Sequence, residues 1–229
     1  MSYYYFASGG EGEIWRHQYK KIAFKKFHKN SSRKINFTHG RGQVKLWKGM
    51  VFEKFPWIEG QDFKEFCLQE ASVEKRLRVF ASAVENYILE CSRRGVMFHG
   101  DISPDNLIVT KSSAIWIDWR LNTDAEDLVA YKIAFVAPEK FVTALDSVKS
   151  EIFSLGLLLY LALSGETLFS RDRLQNEKEL REFSLAFLEK RTELVDRGWR
   201  ALLLRCLSPY PWQRFDSCRD LLRDLECHL

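Results

Sequence analysis

Asp101, Asn106 and Asp118 are the residues whose types and spacing most directly suggest chemistry, with Asn106 five positions after Asp101 and Asp118 twelve after Asn106. They lie in His99-Gly100-Asp101-Ile102-Ser103-Pro104-Asp105-Asn106-Leu107-Ile108-Val109 and Ile115-Trp116-Ile117-Asp118-Trp119, whose apolar runs predict the two arms of a short hairpin. Hard divalent cations take oxygen ligands, which suits Asn106 and Asp118 to Mg²⁺. Asp101 suits the orienting of a hydroxyl that attacks phosphorus. Phosphoryl transfer asks little covalent chemistry of a protein beyond these tasks. A plain hairpin with surface acids is the competing reading, and the ordered elements on either side speak against it.

Several elements must position these groups. Ala7-Ser8-Gly9-Gly10-Glu11-Gly12-Glu13-Ile14 places small residues between two β-rich runs, a turn whose backbone N–H groups can approach phosphate oxygens closely. Lys20-Lys21-Ile22-Ala23-Phe24-Lys25-Lys26-Phe27 alternates like a strand and puts Ala23 and Lys25 on one face. Residues 44–47 and 50–55 predict two antiparallel strands around Lys48-Gly49. In residues 71–94, Val73, Leu77, Phe80, Val84, Tyr87 and Ile88 recur at helical spacing, and Gly95 ends the run.

Charge is uneven along the chain. Residues 1–60 hold 12 Lys and Arg against 4 Asp and Glu, whereas residues 61–229 hold 23 against 27. A basic front could draw nucleic acid, acidic lipid or acidic protein. Aromatic and basic residues interleave weakly here, so a solvated face beside a nucleotide site is preferred and nucleic acid is not expected. The five cysteines show no C-x-x-C pair and read as reduced and structural. Met1-Ser2-Tyr3-Tyr4-Tyr5-Phe6 lacks the basic region and long apolar run of a secretory leader. The most apolar stretch, residues 152–163, is well short of the ~20 residues that span a bilayer. A cytoplasmic protein is expected, in a host's cytosol if the chain is a secreted effector.

The order of these pieces resembles the protein-kinase superfamily. His99-Gly100-Asp101 through Asn106, with Asp118-Trp119, is similar to H-R-D-x-x-x-x-N and D-F-G. Gly9, Gly12 and Ile14 match the family's glycine-rich loop, with Ala7 in place of its first glycine, and Ile22-Ala23-Phe24-Lys25 is similar to V-A-I-K. Phe55-Pro56-Trp57-Ile58 resembles the hinge between lobes. Ala137-Pro138-Glu139 resembles A-P-E, Glu151 to Gly156 the D-x-W-S-x-G helix, and Cys206 to Arg214 the segment whose arginine pairs with the A-P-E glutamate.

The resemblance implies an α+β, two-lobed fold in one domain. A small β-rich lobe would span residues 1–58, with its C-helix reduced or missing, and a mostly helical lobe residues 59–229. It implies ATP and Mg²⁺ as cofactors and a protein substrate carrying Ser or Thr hydroxyls. Asp101, Lys25, Asn106 and Asp118 would be catalytic, Asn106 and Asp118 holding metal. Gly9, Gly10, Gly12, Ile14, Ala23, Lys25, Phe55, Trp57, Ile58 and Ile108 would contact the nucleotide.

Three departures matter. No Asp or Glu occurs between Lys26 and Phe52, so the usual helix glutamate for Lys25 is missing; Glu53 or the phosphates themselves must serve. Gly100 stands where an arginine usually receives an activation-segment phosphate, which argues against that control. Ser103 replaces the lysine common in serine/threonine kinases. Two other readings stay open: a pseudokinase that serves as a binding scaffold, and a small-molecule phosphotransferase of the aminoglycoside or choline type.

Overall fold

The computed structural model describes residues 2–8, 12–28, 43–47, 50–119, 133–143, 146–170, 172–193 and 195–229. Strands β1 (Tyr3–Ser8), β2 (Gly12–His17), β3 (Ile22–Phe27), β4 (Gln43–Trp47) and β5 (Met50–Pro56) form one antiparallel sheet in the order β1-β2-β3-β5-β4. Alternation in β3 decides its faces: Ala23, Lys25 and Phe27 are buried, while Phe24 and Lys26 point to the other side. The register extends that inward row, pairing Ile14 with Lys25 and Lys25 with Glu53, and pairing Arg16 with Ala23 and Ala23 with Phe55. At Gly12 the strands come unusually close, and a Cβ there would sit 2.3 Å from the Lys26 carbonyl oxygen. Only glycine fits.

A second sheet has three short strands, β6 (Gln61–Asp62), β7 (Leu107–Val109) and β8 (Ala114–Trp116), in that order. Helix α1 (Phe63–Gln69) follows β6, with Asp62 capping it by accepting from the Glu65 N–H at 2.8 Å. Helix α2 (Val73–Arg94) starts at Ser72, which accepts from the Lys75 N–H, and stops at Gly95. Its Leu77, Phe80, Val84 and Tyr87 are buried at the expected spacing, although Val73 lies exposed in the first turn.

The remaining helices are α3 (Lys140–Thr143), α4 (Val148–Ser164), α5 (Arg173–Arg181), α6 (Leu185–Arg191), α7 (Arg197–Cys206) and α8 (Cys218–Glu226). Helix α4 is apolar on every side and therefore has to be covered on every side. It packs against α2, α7 and α8 and forms the centre of the core with Ile152, Phe153, Leu155, Leu158 and Leu161 fully buried. Among the described residues no helix is long and apolar enough to cross a membrane. All five cysteines are free thiols.

The α+β architecture agrees with expectation, a small antiparallel sheet preceding a mostly helical lobe. Residues 29–42, where the C-helix would fall, lie outside the described residues, as do Gly9, Gly10 and the segment 120–132.

Candidate active site

The β7–β8 hairpin brings the two arms of the motif together. Asn106 ends a 3-10 turn (Pro104–Asn106) at the start of β7, and its carbonyl accepts the Ile117 N–H at 2.9 Å just beyond β8. One backbone bond therefore places Asp118 beside Asn106 in space. The Asn106 side-chain Nδ2 donates to the Asp101 carbonyl at 2.9 Å and to Asp101 Oδ2 at 3.0 Å. With its nitrogen fixed this way, the amide turns its oxygen in the opposite direction. The same bond sets the Asp101 rotamer and so the heading of Oδ1.

Asp118 has φ +58°, in the left-handed region. Such a backbone costs an L-residue about 1–2 kcal/mol, least for aspartate and asparagine. Both neighbours hold it there. Ile117 is bonded through its N–H to Asn106 and through its carbonyl to the His99 ring. On the other side, Trp119 is buried, stacked on Tyr87 at 6.0 Å and against His99 at 4.5 Å, with its Nε1–H donated to the Trp116 carbonyl. Trp119 is an apolar plug behind Asp118.

His99 is scaffold. The Asp101 N–H donates to Nδ1 at 3.2 Å, so Nε2 carries the proton that bonds the Ile117 carbonyl at 2.9 Å. Both nitrogens are committed to backbone.

Lys25 reaches the site from β3. It is buried, and its Nζ lies 3.9 Å from Asp118 Oδ2 and over the Phe27 ring at 5.3 Å. Glu53 stands directly across the ladder and is fully buried on the same face, the placement in which cross-strand side chains interact. Two carboxylates thus border Lys25 without a helix glutamate. Lys26, by contrast, faces outward and pairs with Glu13 at 3.3 Å.

Sequence reasoning missed how the catalytic loop is anchored. Glu151 of α4 is buried, and its carboxylate accepts from the His99 N–H at 2.9 Å, the Gly100 N–H at 3.3 Å and the Tyr87 hydroxyl at 3.0 Å. Gly100 adopts φ +83°, which suits a residue without a Cβ. Burial pushes the Glu151 carboxyl up to about 7, against the opposing pull of the His99 N–H. The signal was present in Glu151 occupying the aspartate position of the D-x-W-S-x-G resemblance, but its three partners are distant in sequence.

Arg214 and Glu139 form the expected pair. Nη1 donates to Oε1 at 2.6 Å and Nη2 to Oε2 at 3.0 Å, a bidentate geometry, while Nε bonds the Ser208 carbonyl at 2.8 Å. The Arg214 side chain is fully buried.

Among the positions expected to touch nucleotide, Ile14, Ala23, Lys25 and Phe55 share the inward face of the sheet. Ile108 lies in β7 opposite Asp62. Residues 57–60 connect the sheets, and the Trp57 N–H is taken by the Lys21 carbonyl at 3.0 Å. The Arg16 guanidinium stacks on the Trp57 ring at 4.6 Å and is paired with Glu59, and Phe6 abuts the same ring at 4.7 Å. That clasp on the connection was not foreseen, because it needs the faces of β1 and β2.

The donor set fits Mg²⁺: a carboxylate on Asp118, an amide oxygen on Asn106 and a lysine close by for phosphate. ATP would lie between the inward face of the sheet and this hairpin.

No family model matches the chain. Over 221 residues it is 24% identical to the serine/threonine-protein kinase PknD of Protochlamydia amoebophila (strain UWE25), covering 78% of this chain and 22% of that protein. It is 29% identical over 146 residues to the calcium and calcium/calmodulin-dependent serine/threonine-protein kinase of Pisum sativum, 59% of this chain and 28% of the relative. The kinase domain of Mycobacterium tuberculosis PknI matches it in structure with a TM-score of 0.65, over 100% of this chain and 96% of the other, at 17% identity. The fold is that of a protein kinase domain. The relatives it resembles in sequence are serine/threonine-protein kinases. The chain spans about a quarter of the length of the curated relatives it matches.

Proposed function

We propose that this chain transfers the terminal phosphoryl group of ATP to Ser or Thr hydroxyls of proteins. The observation that carries the reading is the convergence of Lys25, Asp118, Asn106 and Asp101, with Lys25 Nζ 3.9 Å from Asp118 and Asn106 bonded to Asp101. Lys25 would hold phosphate, and the inward Ile14, Ala23 and Phe55 would flank adenine. Asp101 orients the acceptor hydroxyl and takes its proton as the oxygen bonds to the terminal phosphorus, whose bond to the bridging oxygen breaks to release ADP. Asn106 and Asp118 would hold Mg²⁺, which when bound neutralises charge on the phosphate oxygens. The Glu139–Arg214 pair supports a protein substrate, since it ties the segment after the catalytic hairpin to the C-terminal helices. Gly100, in the position of the phosphate-receiving arginine, supports activity without activation-segment phosphorylation.

The test is labelling of generic proteins with radioactive ATP and Mg²⁺, followed by mass spectrometry of the products, for wild type and Asp118→Ala. Phosphoserine or phosphothreonine made only by wild type supports the reading. Equal or no labelling in both favours a scaffold, and phosphate found only on choline or aminoglycosides favours the small-molecule enzyme.

A further inference from the structure

The sheet's outer face, opposite Lys25, has no part in the proposed reaction. Strand alternation gathers there the side chains of Tyr3 and Tyr5 from β1, Trp15 and His17 from β2, Phe24 and Lys26 from β3, and Lys54 from β5. The rings support one another edge to face: Tyr3 on His17 at 4.7 Å, Tyr3 on Phe24 at 4.9 Å and Tyr5 on Trp15 at 5.8 Å. They remain partly open to solvent, Tyr5 at 53% and the adjoining Tyr19 at 80%. The turn beside them is ordered by His17, whose Nδ1 accepts the N–H groups of Tyr19 at 3.0 Å and Lys20 at 3.1 Å.

Lysines outnumber acids on this face. Its acid, Glu13, is occupied by the Trp15 Nε1–H at 3.1 Å and by Lys26 at 3.3 Å, bonds that hold its carboxyl below the usual range. Lys54, and Lys20 in the adjoining turn, form no ion pair among the described residues. A mutually braced row of rings bordered by uncompensated lysines is what a single nucleic-acid strand requires, with a flat base for each ring and a phosphate for each cation. An acidic peptide would satisfy the lysines and leave the rings without flat partners.

We propose that this outer face binds single-stranded nucleic acid, with bases against Tyr5, Trp15 and their neighbours and phosphates on Lys54 and on Lys20 of the adjoining turn. The sequence argued against nucleic acid because aromatic and basic residues do not interleave along the chain; they do interleave across the sheet.

The experiment is fluorescence anisotropy of fluorescein-labelled oligo(dT), about 12 nucleotides long to match common site sizes, at several salt concentrations. Saturable binding is expected, with the association constant falling linearly on a log–log plot against salt. Tyr5→Ala and Trp15→Ala should each weaken it by about 5- to 100-fold. The double variant Lys20→Ala/Lys54→Ala should weaken it and flatten the salt slope by roughly 0.7 for each phosphate no longer neutralised. Asp118→Asn should bind as wild type does, which separates this surface from phosphoryl transfer. Absence of binding at tens of micromolar protein in low salt overturns the proposal. So does binding that the ring and lysine variants leave unchanged, or equal competition by polyglutamate, which would make the face an acidic-protein site. If Trp15→Ala fails to fold, Tyr5→Ala and the lysine variant decide.

Discussion

Replacing Glu151 with glutamine tests the anchoring of the catalytic loop. The native carboxylate accepts from Tyr87, His99 and Gly100 in a fully buried position, and burial raises its pKa from 4.5 to about 7 while Asp146 pushes it further up and Lys140 opposes. A group raised on folding holds its proton longer in the native state, so its stabilising contribution is complete below about 4.5 and is lost as pH rises through about 7. Between pH 5 and 8.5 that loss amounts to about 2–3 kcal/mol. Glutamine does not titrate. Its amide oxygen keeps some of the bonds, and a backbone donor left without an acceptor costs about 1–3 kcal/mol at all pH values. Urea denaturation of both proteins at pH 5, 6, 7 and 8.5 should therefore show wild type ahead at pH 5, with the gap closing by about 2–3 kcal/mol at pH 8.5. Other titrating groups cancel in the difference. A gap that stays constant across this range would refute the reasoning.

Three further predictions concern residues around the site. Asp118→Asn keeps the left-handed backbone but removes a charged metal ligand, so phosphorylation should fall by at least ~100-fold with the melting temperature unchanged. Arg214→Ala strands Glu139 beside a buried cavity and should lower the unfolding free energy by about 3–5 kcal/mol in urea titrations; a loss under about 1 kcal/mol would mean the pair is not buried in solution. Gly12→Ala forces a Cβ to within 2.3 Å of the Lys26 carbonyl, so β2 and β3 must part. It should cost about 1–3 kcal/mol and raise KM for ATP more than it lowers kcat, measured by calorimetry and initial rates.

How much was legible depended on sequence distance. Asp101 and Asn106 are five residues apart on one turn, so their partnership is local and visible in the spacing. Helix α2 is visible in its apolar periodicity, α4 in its unbroken apolar run, and Gly95 in its place at a helix end. Glu53 could be named as a candidate beside Lys25, but the set of carboxylates around that lysine could not be fixed. It depends on the β3–β5 register, which sets Glu53 opposite, and on the hairpin that carries Asp118 to 3.9 Å. Arg16 and Trp57 were missed because their stacking requires β2 and the connection after β5 to share a face.

What the sequence determined alone is the inventory and its local geometry: oxygen ligands at fixed spacing, an inward lysine on an alternating strand, and helices whose apolar sides must be buried. Sheet order and register are long-range choices, settled only when all the strands pair at once. They decided which carboxylates border Lys25 and that aromatic rings scattered over three strands collect beside lysines on one outer face, while the packing of α4 against α2 decided how Glu151 reaches His99 and Gly100.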